Sequence, residues 1–269
     1  MARRARIDVE LVRRGLARSR QQAAELVNAG RVSVNGMPAT KPATAIEVTS
    51  AVTVSPSDER TWVSRGAHKL IGALDAFGID VTGRLCLDAG ASTGGFTEVL
   101  LDRGALRVVA VDVGYGQLAW SLRSDPRVVV VERTNVRNLT VEALGEPAGL
   151  VVADVSFISL TTVLPALTSC AAPDADIVPM VKPQFEVGRD HVGAGGVVLD
   201  PHLRAAAVLS VATCAADLGF YPVGVTPSPL PGPSGNVEYF LRLRALTEHP
   251  LRGEALERAV WRAVEEGPQ

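Results

Sequence analysis

Residues 85–97 constrain the fold of this chain more than any other stretch. A short apolar run ends at Asp88, continues through a glycine-rich turn and enters a helical pattern. This order is typical of the first strand, loop and helix of a nucleotide-binding α/β domain. Gly90 permits the tight turn, and Gly94 and Gly95 carry no Cβ where a ligand or the sheet must come close. The alternative is an ordinary strand-to-helix turn that happens to contain glycines.

The same loop indicates what kind of ligand it holds. A phosphate-binding P-loop needs a lysine and then serine or threonine at the helix start, but Phe96 and Thr97 stand there. The dinucleotide pattern G-x-G-x-x-G is also missed, because Ala91 and Ser92 follow Gly90. A loop without a basic residue suits a ligand without phosphates, and we therefore predict S-adenosylmethionine. The residues predicted to contact this cofactor are Asp88, Gly90, Ser92, Thr93, Gly94, Asp112 and Asn135.

Apolar strands and helical patterns alternate along the rest of the chain, which predicts an α/β fold with a mostly parallel sheet. After the first strand, the predicted strands are 108–111, 128–131, 150–153, 177–181, 221–225 and 238–243. Polar residues collect at the carboxyl ends of these strands, where open α/β sheets bind ligands. Asp112 lies 22 residues after Gly90, where such folds place a carboxylate that accepts hydrogen bonds from ribose hydroxyls. A single aspartate at a strand end can instead cap a helix.

The charge of the chain is unevenly divided. Residues 1–70 contain 12 Lys and Arg against 6 Asp and Glu, whereas the remainder contains 15 against 23. A basic N-terminal part on an acidic body predicts a polyanionic partner, although arginine-rich helices are often only solvated surfaces. Within the first 55 residues, Ser19 is a predicted helix N-cap, Gly30 ends that helix, and Asn35-Gly36 signals a hairpin.

Several short motifs occur in register over roughly residues 5–55. They are Arg6-x-Asp8, Ser19-Arg20, Val34-Asn35-Gly36 and Lys41-Pro42. Together they resemble the S4 RNA-binding domain, which implies contacts with the phosphates of structured RNA. Such contacts position a protein without specifying a sequence. The basic residues in matching places are Arg6, Arg18, Arg20 and Lys41.

Lys182 ends the otherwise apolar fifth strand of the body. A partly buried ammonium group costs free energy unless carboxylates pair with it. Asp154 ends the neighbouring strand and Glu238 begins the last one, so both are available as partners of Lys182.

Four longer motifs surround these residues. They are Arg65-Gly66-Ala67-His68-Lys69, Asp154-Val155-Ser156-Phe157-Ile158-Ser159, Lys182-Pro183-Gln184-Phe185-Glu186 and Gly235-Asn236-x-Glu238. Lys69, Asp154, Lys182 and Glu238 look like the K-D-K-E tetrad of FtsJ-type ribose 2′-O-methyltransferases. With the S4 motifs, nearly the whole chain is similar to the TlyA (hemolysin A) family.

This resemblance implies a fold and an activity. The fold is a Rossmann-like S-adenosylmethionine-dependent methyltransferase domain with a seven-stranded, mostly parallel sheet, joined to a small N-terminal α+β S4 domain. The activity is methylation of cytidine 2′-hydroxyls in 16S and 23S rRNA, which makes the RNA of the 30S and 50S subunits the expected partner. No member of the tetrad is substituted, so an inactive relative is not expected.

The chemistry of this reaction fits the tetrad independently. A ribose 2′-hydroxyl is a poor nucleophile at neutral pH and must be aligned for in-line transfer and relieved of its proton. A lysine can take that proton when desolvation or a second cation favours its neutral form. We expect Lys182 nearest the hydroxyl, as base or as orienting donor, with Lys69 as the second cation. Asp154 is expected to hold Lys182, and Glu238 to complete the network.

The predicted domains are 1–59 for the S4-like part, 60–63 for a linker and 64–269 for the methyltransferase part. Trp62 is expected to pack the linker onto a domain, and the glycine-rich segment 185–198 is interpreted as a mobile lid. Tyr115 and Phe157 are candidates for stacking on a base, with core packing as the alternative. Further RNA contacts are predicted, against the alternative of ordinary solvated arginines, at Arg65, Arg133, Arg137 and Arg189.

Other features limit the alternatives. Cys86, Cys170 and Cys214 lie in apolar runs and predict reduced core thiols. The N-terminus has no signal-peptide pattern and no apolar run is long enough to span a membrane, which predicts a cytoplasmic protein, with a monomer favoured. The four histidines lack ligand spacing, so no metal is expected. Two alternatives stay open, a membrane-active hemolysin and a non-catalytic RNA-binding assembly factor.

Overall fold

The computed structural model describes residues 3–55 and 61–268. The chain divides into two compact units, residues 1–61 and residues 62–269. The predicted linker 60–63 begins at Arg60, which lies outside the described residues, as does the polar stretch 56–59. Trp62 and Val63 pack against the hydrophobic core of the second unit. The expectation that Trp62 anchors the chain onto a domain is thereby confirmed.

The first unit combines two helices with two small antiparallel sheets. Its elements are β1 (Arg4–Arg6), α1 (Ile7–Arg13), α2 (Arg20–Asn28), β2 (Val32–Val34), β3 (Met37–Pro38), β4 (Ala45–Glu47) and β5 (Val52–Val54). Strand β1 pairs with β4, and the second sheet has the order β3-β2-β5. Ile7, Leu11 and Val27 are among the buried residues that form its core.

The turn signals of this unit are confirmed. The Ser19 side chain accepts a hydrogen bond from the Gln22 amide at 3.1 Å and so caps α2. Gly30 has a φ of +69°, as expected for a left-handed residue after a helix. Asn35 and Gly36, with φ values of +49° and +80°, form the turn between β2 and β3.

The second unit is a seven-stranded sheet covered by helices on both faces. Its elements are α3 (Gly66–Phe77), β6 (Leu85–Ala89), α4 (Gly95–Asp102), β7 (Arg107–Val111), α5 (Trp120–Arg123), β8 (Val128–Val131), α6 (Val141–Leu144), β9 (Ala148–Ala153), α7 (Leu160–Ser169), β10 (Ala171–Val181), α8 (Pro183–Glu186), α9 (Pro201–Asp217), β11 (Tyr221–Pro227), β12 (Tyr239–Arg244) and α10 (Gly253–Glu266). The strand order is β11-β12-β10-β9-β6-β7-β8. Strand β12 is antiparallel to both neighbours and the other pairings are parallel. The mostly parallel seven-stranded sheet is confirmed.

Strand β6, in the interior of the sheet, separates two hydrophobic cores. All five of its residues are buried, and successive side chains point to opposite faces. Leu87 belongs to the core that contains α7, α9 and α10, whereas Cys86 belongs to the core that contains α3 and α4. A strand buried on both faces reads as a continuous apolar run, which is why this element was predictable from sequence.

The strand order places a topological switch at β6. From β6 the sheet grows through β7 to β8 in one direction, and through β9 to β10 in the other. The carboxyl ends of β6 and β9 therefore diverge into loops on opposite faces, and ligands of open α/β sheets bind in the crevice at such a point.

All three cysteines lie in or against the hydrophobic cores of the second unit. All three cysteines are free, and burial raises the pKa of the Cys86 thiol to about 12. Among the described residues, no helix combines the length and the apolar character that a membrane span requires.

Candidate active site

Gly90 follows β6 and packs against the end of β9 at the switch point. It has a φ of +90°, and a Cβ built on it would lie 2.4 Å from the backbone oxygen of Asp154. The Asp154 amide donates to the Ala89 oxygen at 2.9 Å, which fixes the two strand ends together. Only glycine allows this conformation and this close approach, so the backbone itself requires a glycine at position 90.

A cavity of about 680 Å³ opens at this edge of the sheet, and we call it the sheet-edge cavity. Four residues predicted to contact the cofactor line it, namely Gly90, Ser92, Asp112 and Asn135. The remaining wall is formed by Val113, Gln117, Val136, Arg137, Asp154, Val155, Ser156, Phe157, Ile158 and Val163. The carboxylates and the hydroxyls therefore converge on a largely apolar space, as in small-molecule sites generally.

Asp112 holds the loops that shape this cavity. Its Oδ2 accepts a hydrogen bond from the Ser92 amide at 2.8 Å, and its Oδ1 accepts one from the Gly114 amide at 2.6 Å. Ser92 has a left-handed φ of +49°, which the bond to Asp112 stabilises. Each carboxylate oxygen keeps a further lone pair, so Asp112 can still accept hydrogen bonds from a ligand.

Asp88 and Gly94 were predicted to contact the cofactor, but neither is among the residues that line the sheet-edge cavity. Asp88 is fully buried in β6, and its Oδ2 accepts a hydrogen bond from the Thr97 hydroxyl at 2.6 Å. Gly94 precedes α4, and a Cβ on it would lie 2.3 Å from Leu122 Cδ1. Asp88 thus connects β6 to α4 through Thr97, and Gly94 allows the loop to pack closely against Leu122.

Burial raises the pKa of the Asp88 carboxyl group well above its usual value. Desolvation raises the pKa of its carboxyl group to about 7, and the negative charge of Asp154 adds to the effect. The hydrogen bond from Thr97 opposes the shift. Oδ1 of Asp88 is buried without a hydrogen-bond partner, so ionising this group is costly.

Lys182 follows β10 and lies beside the end of β9. Its ammonium nitrogen is 2.5 Å from Oδ1 of Asp154 and donates a hydrogen bond to the Ser156 hydroxyl at 2.8 Å. The Lys182 side chain is 10% exposed and the Asp154 side chain 26%. The predicted pairing of these two residues is therefore present in the structure.

Lys69 and Glu238 form a second, more deeply buried pair. Lys69 lies on α3 and Glu238 just before β12, and Nζ is 2.5 Å from Oε2. Their side chains are 10% and 1% exposed. Gly232 makes room for the carboxylate, because a Cβ there would lie 2.6 Å from Oε1 of Glu238. Truncating either partner of such a pair leaves an uncompensated buried charge.

The tetrad thus consists of two ion pairs, whereas we expected Glu238 to be available to Lys182. All four residues line one cavity of about 390 Å³, the tetrad cavity. It also contains Thr93, which was predicted to contact the cofactor. The two cavities adjoin, since they share Gly90, Ser92, Asp154 and Ser156.

Ser156 is the residue of this site whose role we did not identify from sequence. It lies two residues after Asp154, lines both cavities and accepts the hydrogen bond from Lys182. Its position in the loop after a strand that ends in a candidate acid was the available signal.

The four arginines predicted in the body occupy different places. Arg65 lines the tetrad cavity and Arg137 the sheet-edge cavity. Arg189 lines a separate cavity beside Phe185, and the Arg133 guanidinium lies 4.2 Å from the centre of the Tyr115 ring. These side chains border the same edge of the sheet without forming one cluster.

Tyr115 and Phe157 are both surface residues, so core packing is excluded for each. Their exposed fractions are 68% and 92%. Phe157 has a left-handed φ of +63°, and its ring centre is 5.3 Å from that of Phe185. A nearly fully exposed aromatic ring on a left-handed backbone is unusual, which makes this loop a candidate functional segment.

The segment predicted to be a mobile lid contains short helical turns anchored at both ends. Glu186 accepts hydrogen bonds from the Ser159 hydroxyl at 2.6 Å and the Leu160 amide at 2.8 Å. Asn236 accepts one from the Val198 amide at 2.9 Å and donates one to the Gly196 oxygen at 2.8 Å. Its mobility stays a prediction.

In the first unit, the basic residues predicted to contact RNA are all exposed. Arg6 and Arg20 share one partner, because both guanidinium groups bind the carboxylate of Asp8. The backbone amide of Arg18 donates to Gln22 Oε1 at 2.7 Å. Among the described residues of the whole chain, no group of three or more His, Cys, Asp or Glu side chains is arranged to hold a metal ion.

Comparisons with known proteins identify both units. Residues 62–245 match the FtsJ-like methyltransferase model, and residues 5–52 match the S4 domain. The 16S/23S rRNA (cytidine-2'-O)-methyltransferase TlyA of Mycobacterium tuberculosis (strain H37Rv) is 71% identical over 268 residues, 100% of each chain. Hemolysin A of Brachyspira hyodysenteriae is 40% identical over 87% of this chain and 97% of its own length.

A solved structure agrees with this assignment over the full length. It is a Streptococcus thermophilus protein that carries a hemolysin name, 36% identical, covering 99% of this chain and 98% of its own, with a TM-score of 0.74. The resemblances inferred from the sequence motifs are thereby confirmed. The chain belongs to the FtsJ-like methyltransferase family and carries an S4 domain at its N-terminal end.

Proposed function

We propose that this protein is an S-adenosylmethionine-dependent ribose 2′-O-methyltransferase that acts on cytidines of 16S and 23S rRNA. The observation that carries the proposal is the position of Lys182, paired with Asp154 at the junction of two cavities beside a glycine-rich strand–loop–helix. The relative that is 71% identical over the full chain is named as an enzyme of this activity.

The sheet-edge cavity suits S-adenosylmethionine. Its volume of about 680 Å³ lies within the usual range of ligand pockets, and Gly90 leaves the backbone open to a ligand. Asp112 has lone pairs for ribose hydroxyls, and the carboxylates of Asp112 and Asp154 favour a positively charged ligand over an anionic one. Ser92 and Asn135 offer further polar contacts. S-adenosylmethionine supplies an electrophilic methyl group on its sulfonium.

The tetrad cavity suits the acceptor ribose. Lys182 is proposed to lie nearest the 2′-hydroxyl, where it aligns the oxygen for in-line attack and serves as base or orienting donor. Asp154 and Ser156 hold the amine of Lys182 from two sides, which restricts its rotation. The Lys69–Glu238 pair lines the same cavity, and the ammonium group of Lys69 is proposed to stabilise the negative charge that develops on the oxygen.

RNA binding is proposed for the exposed basic residues. In the S4 unit these are Arg6, Arg18, Arg20 and Lys41, and in the body they are Arg65, Arg133, Arg137 and Arg189. Phosphate contacts by guanidinium groups give affinity and register, whereas the choice of nucleotide must come from contacts at the tetrad cavity.

The direct test is transfer of radiolabelled methyl from S-adenosylmethionine to purified 30S and 50S subunits that lack the modification, followed by mapping of the product. The proposal expects label on the 2′-oxygen of a cytidine. Binding of subunits without transfer would support the assembly-factor alternative, and label on a base would contradict the proposed chemistry. Lysis of lipid vesicles by the pure protein would support the hemolysin alternative.

A further inference from the structure

Asp8 in the first turn of α1 is almost fully buried, although it lies in the most basic part of the chain. It is 4% exposed. The Arg6 guanidinium binds it with two parallel hydrogen bonds, Nε to Oδ1 at 3.0 Å and Nη2 to Oδ2 at 2.8 Å. Nη2 of Arg20 donates to the same Oδ2 at 3.1 Å. One carboxylate therefore joins the guanidinium groups of two residues that are distant in sequence.

Both arginines remain accessible after this pairing. Their side chains are 49% and 62% exposed. A guanidinium has five N–H donors, and Asp8 occupies two of Arg6 and one of Arg20. The remaining donors can bind a further oxyanion. Because Ser19 caps α2 immediately before Arg20, the main chain on that side is also fixed.

Glu10, two residues further along α1, provides an internal comparison. It is 1% exposed and also binds two arginines, Arg13 and Arg14. Arg14, however, donates to the Ser50 and Val48 backbone oxygens at 2.8 Å each, and its side chain is only 21% exposed. The Glu10 network therefore fastens α1 to the turn at residues 48–50 and leaves only one of its two arginines, Arg13, more than half exposed. In the Asp8 network both arginines are solvent-exposed.

We propose that Asp8 is a positioning residue that holds the Arg6 and Arg20 guanidinium groups side by side as one clamp for an RNA phosphate. The inference rests on the proposed function, because it assumes that these two arginines contact RNA. Two guanidinium groups this close repel each other unless an anion lies between them. Holding them in place before RNA arrives reduces the entropy lost on binding.

Charge alone and positioning predict opposite effects of removing the carboxylate. The hydrogen bonds from Arg6 keep the pKa of Asp8 at about 2, so it carries a full negative charge at neutral pH. If only net charge mattered, Asp8→Asn would strengthen RNA binding. If positioning matters, the amide, which has one acceptor oxygen and two N–H donors, cannot hold both arginines, and binding weakens.

The experiment uses the full-length protein and purified 30S and 50S subunits, with dissociation constants measured at several salt concentrations. We expect Asp8→Asn to weaken binding about three- to tenfold and to flatten the salt dependence, as loss of about one phosphate contact does. The matched variant Glu10→Gln makes the same change of charge and should not weaken binding. Adding Asp8→Asn to Arg6→Ala/Arg20→Ala should cause no further loss, because Asp8 acts through those arginines.

The outcomes separate this inference from the proposed function. If Arg6→Ala and Arg20→Ala bind subunits as the wild type does, the proposed RNA interface is wrong. If they weaken binding but Asp8→Asn does not, only the positioning role is overturned. Should Asp8→Asn fail to fold in a thermal unfolding assay, Asp8→Glu keeps the charge and changes the reach. If Asp8 positions the two arginines, Asp8→Glu should bind subunits more weakly than the wild type, and unchanged binding would refute the positioning role.

Discussion

Asp88 and Asp112 end neighbouring strands of the sheet, yet the structure gives them different surroundings. Asp112 lines the sheet-edge cavity and binds two loop amides, whereas Asp88 is fully buried and has one hydroxyl partner. Sequence places both at strand ends and cannot separate them, because burial depends on how α4 packs over the strand. Thr97, the partner of Asp88, lies on that helix.

The buried carboxyl group of Asp88 should make stability depend on pH. With its pKa raised to about 7 in the folded state, the group keeps its proton at pH values where the unfolded chain has released it. The favourable contribution is present below about pH 4 and is lost as pH rises to about 7. Between pH 5 and pH 8, the wild type should lose about 3 kcal/mol more unfolding free energy than Asp88→Asn.

Denaturant unfolding at a series of pH values measures this difference. Asn keeps an acceptor for the Thr97 hydroxyl and removes the ionisation, so the two proteins should converge at low pH. Parallel stability curves for the two proteins would show that Asp88 is already ionised in the folded state at pH 5.

At the scale of elements, the sequence predicted that the strands of the site exist more accurately than it predicted the residues at which they begin and end. Strand β8 was predicted at its observed residues, 128–131, because it is a run of four valines. Strand β10 begins at Ala171 instead of residue 177, because Asp174 and Asp176 interrupt the apolar pattern. Asp176 is nevertheless buried, and it forms ion pairs with Arg84 and Arg242. These pairs join residues that are distant in sequence, so a local sequence pattern cannot predict them.

The pairing within the tetrad was not predictable from sequence either. Lys69 on α3 meets Glu238 because α3 packs against the end of the sheet where β12 begins, a contact over 169 residues. Sequence motifs identified the four residues. Which acid forms an ion pair with which lysine depends on the antiparallel position of β12 next to β10.

The junction of β6 and β9 should be the least tolerant point of the site. In Gly90→Ala the new Cβ would meet the Asp154 backbone oxygen at 2.4 Å and the residue would keep a φ of +90°. We expect a loss of about 3 kcal/mol or more in unfolding free energy, together with weaker cofactor binding. Gly78→Ala is the control, since Gly78 has a φ of +60° with open space around it, and it should cost about 1–2 kcal/mol.

Urea unfolding and calorimetric titration with S-adenosylmethionine measure both effects. Equal losses in the two variants would mean that the chain relaxes around Gly90. Unchanged cofactor affinity in Gly90→Ala would indicate that the ligand does not lie over this loop.

At the scale of the whole molecule, charge is divided unevenly along the chain in a way that matters for the two ligands. Residues 1–70 carry twice as many basic as acidic residues, and the remainder is acidic. Affinity for ribosomal subunits should therefore fall steeply with salt, because counterions are released when phosphates are bound. Affinity for S-adenosylmethionine, which has no phosphate, should change little.

Binding isotherms at about 50–200 mM salt compare the two ligands directly. The basic–acidic division and the S4 motifs were visible in the sequence because they depend on local composition. A salt slope near zero for subunits would contradict the phosphate-binding role of the N-terminal unit.

The measurement that tests the central claim most directly is methyl transfer and cofactor binding by Lys182→Ala, side by side with the wild type. Lys182 touches the tetrad cavity and is not among the residues that line the sheet-edge cavity. With saturating subunits and cofactor, transfer should fall about 10²–10⁴-fold, the usual contribution of a positioned proton-transfer group. The affinity for S-adenosylmethionine should stay nearly unchanged. Full transfer activity in this variant, or loss of cofactor binding equal to the loss of transfer, would contradict the role given to Lys182.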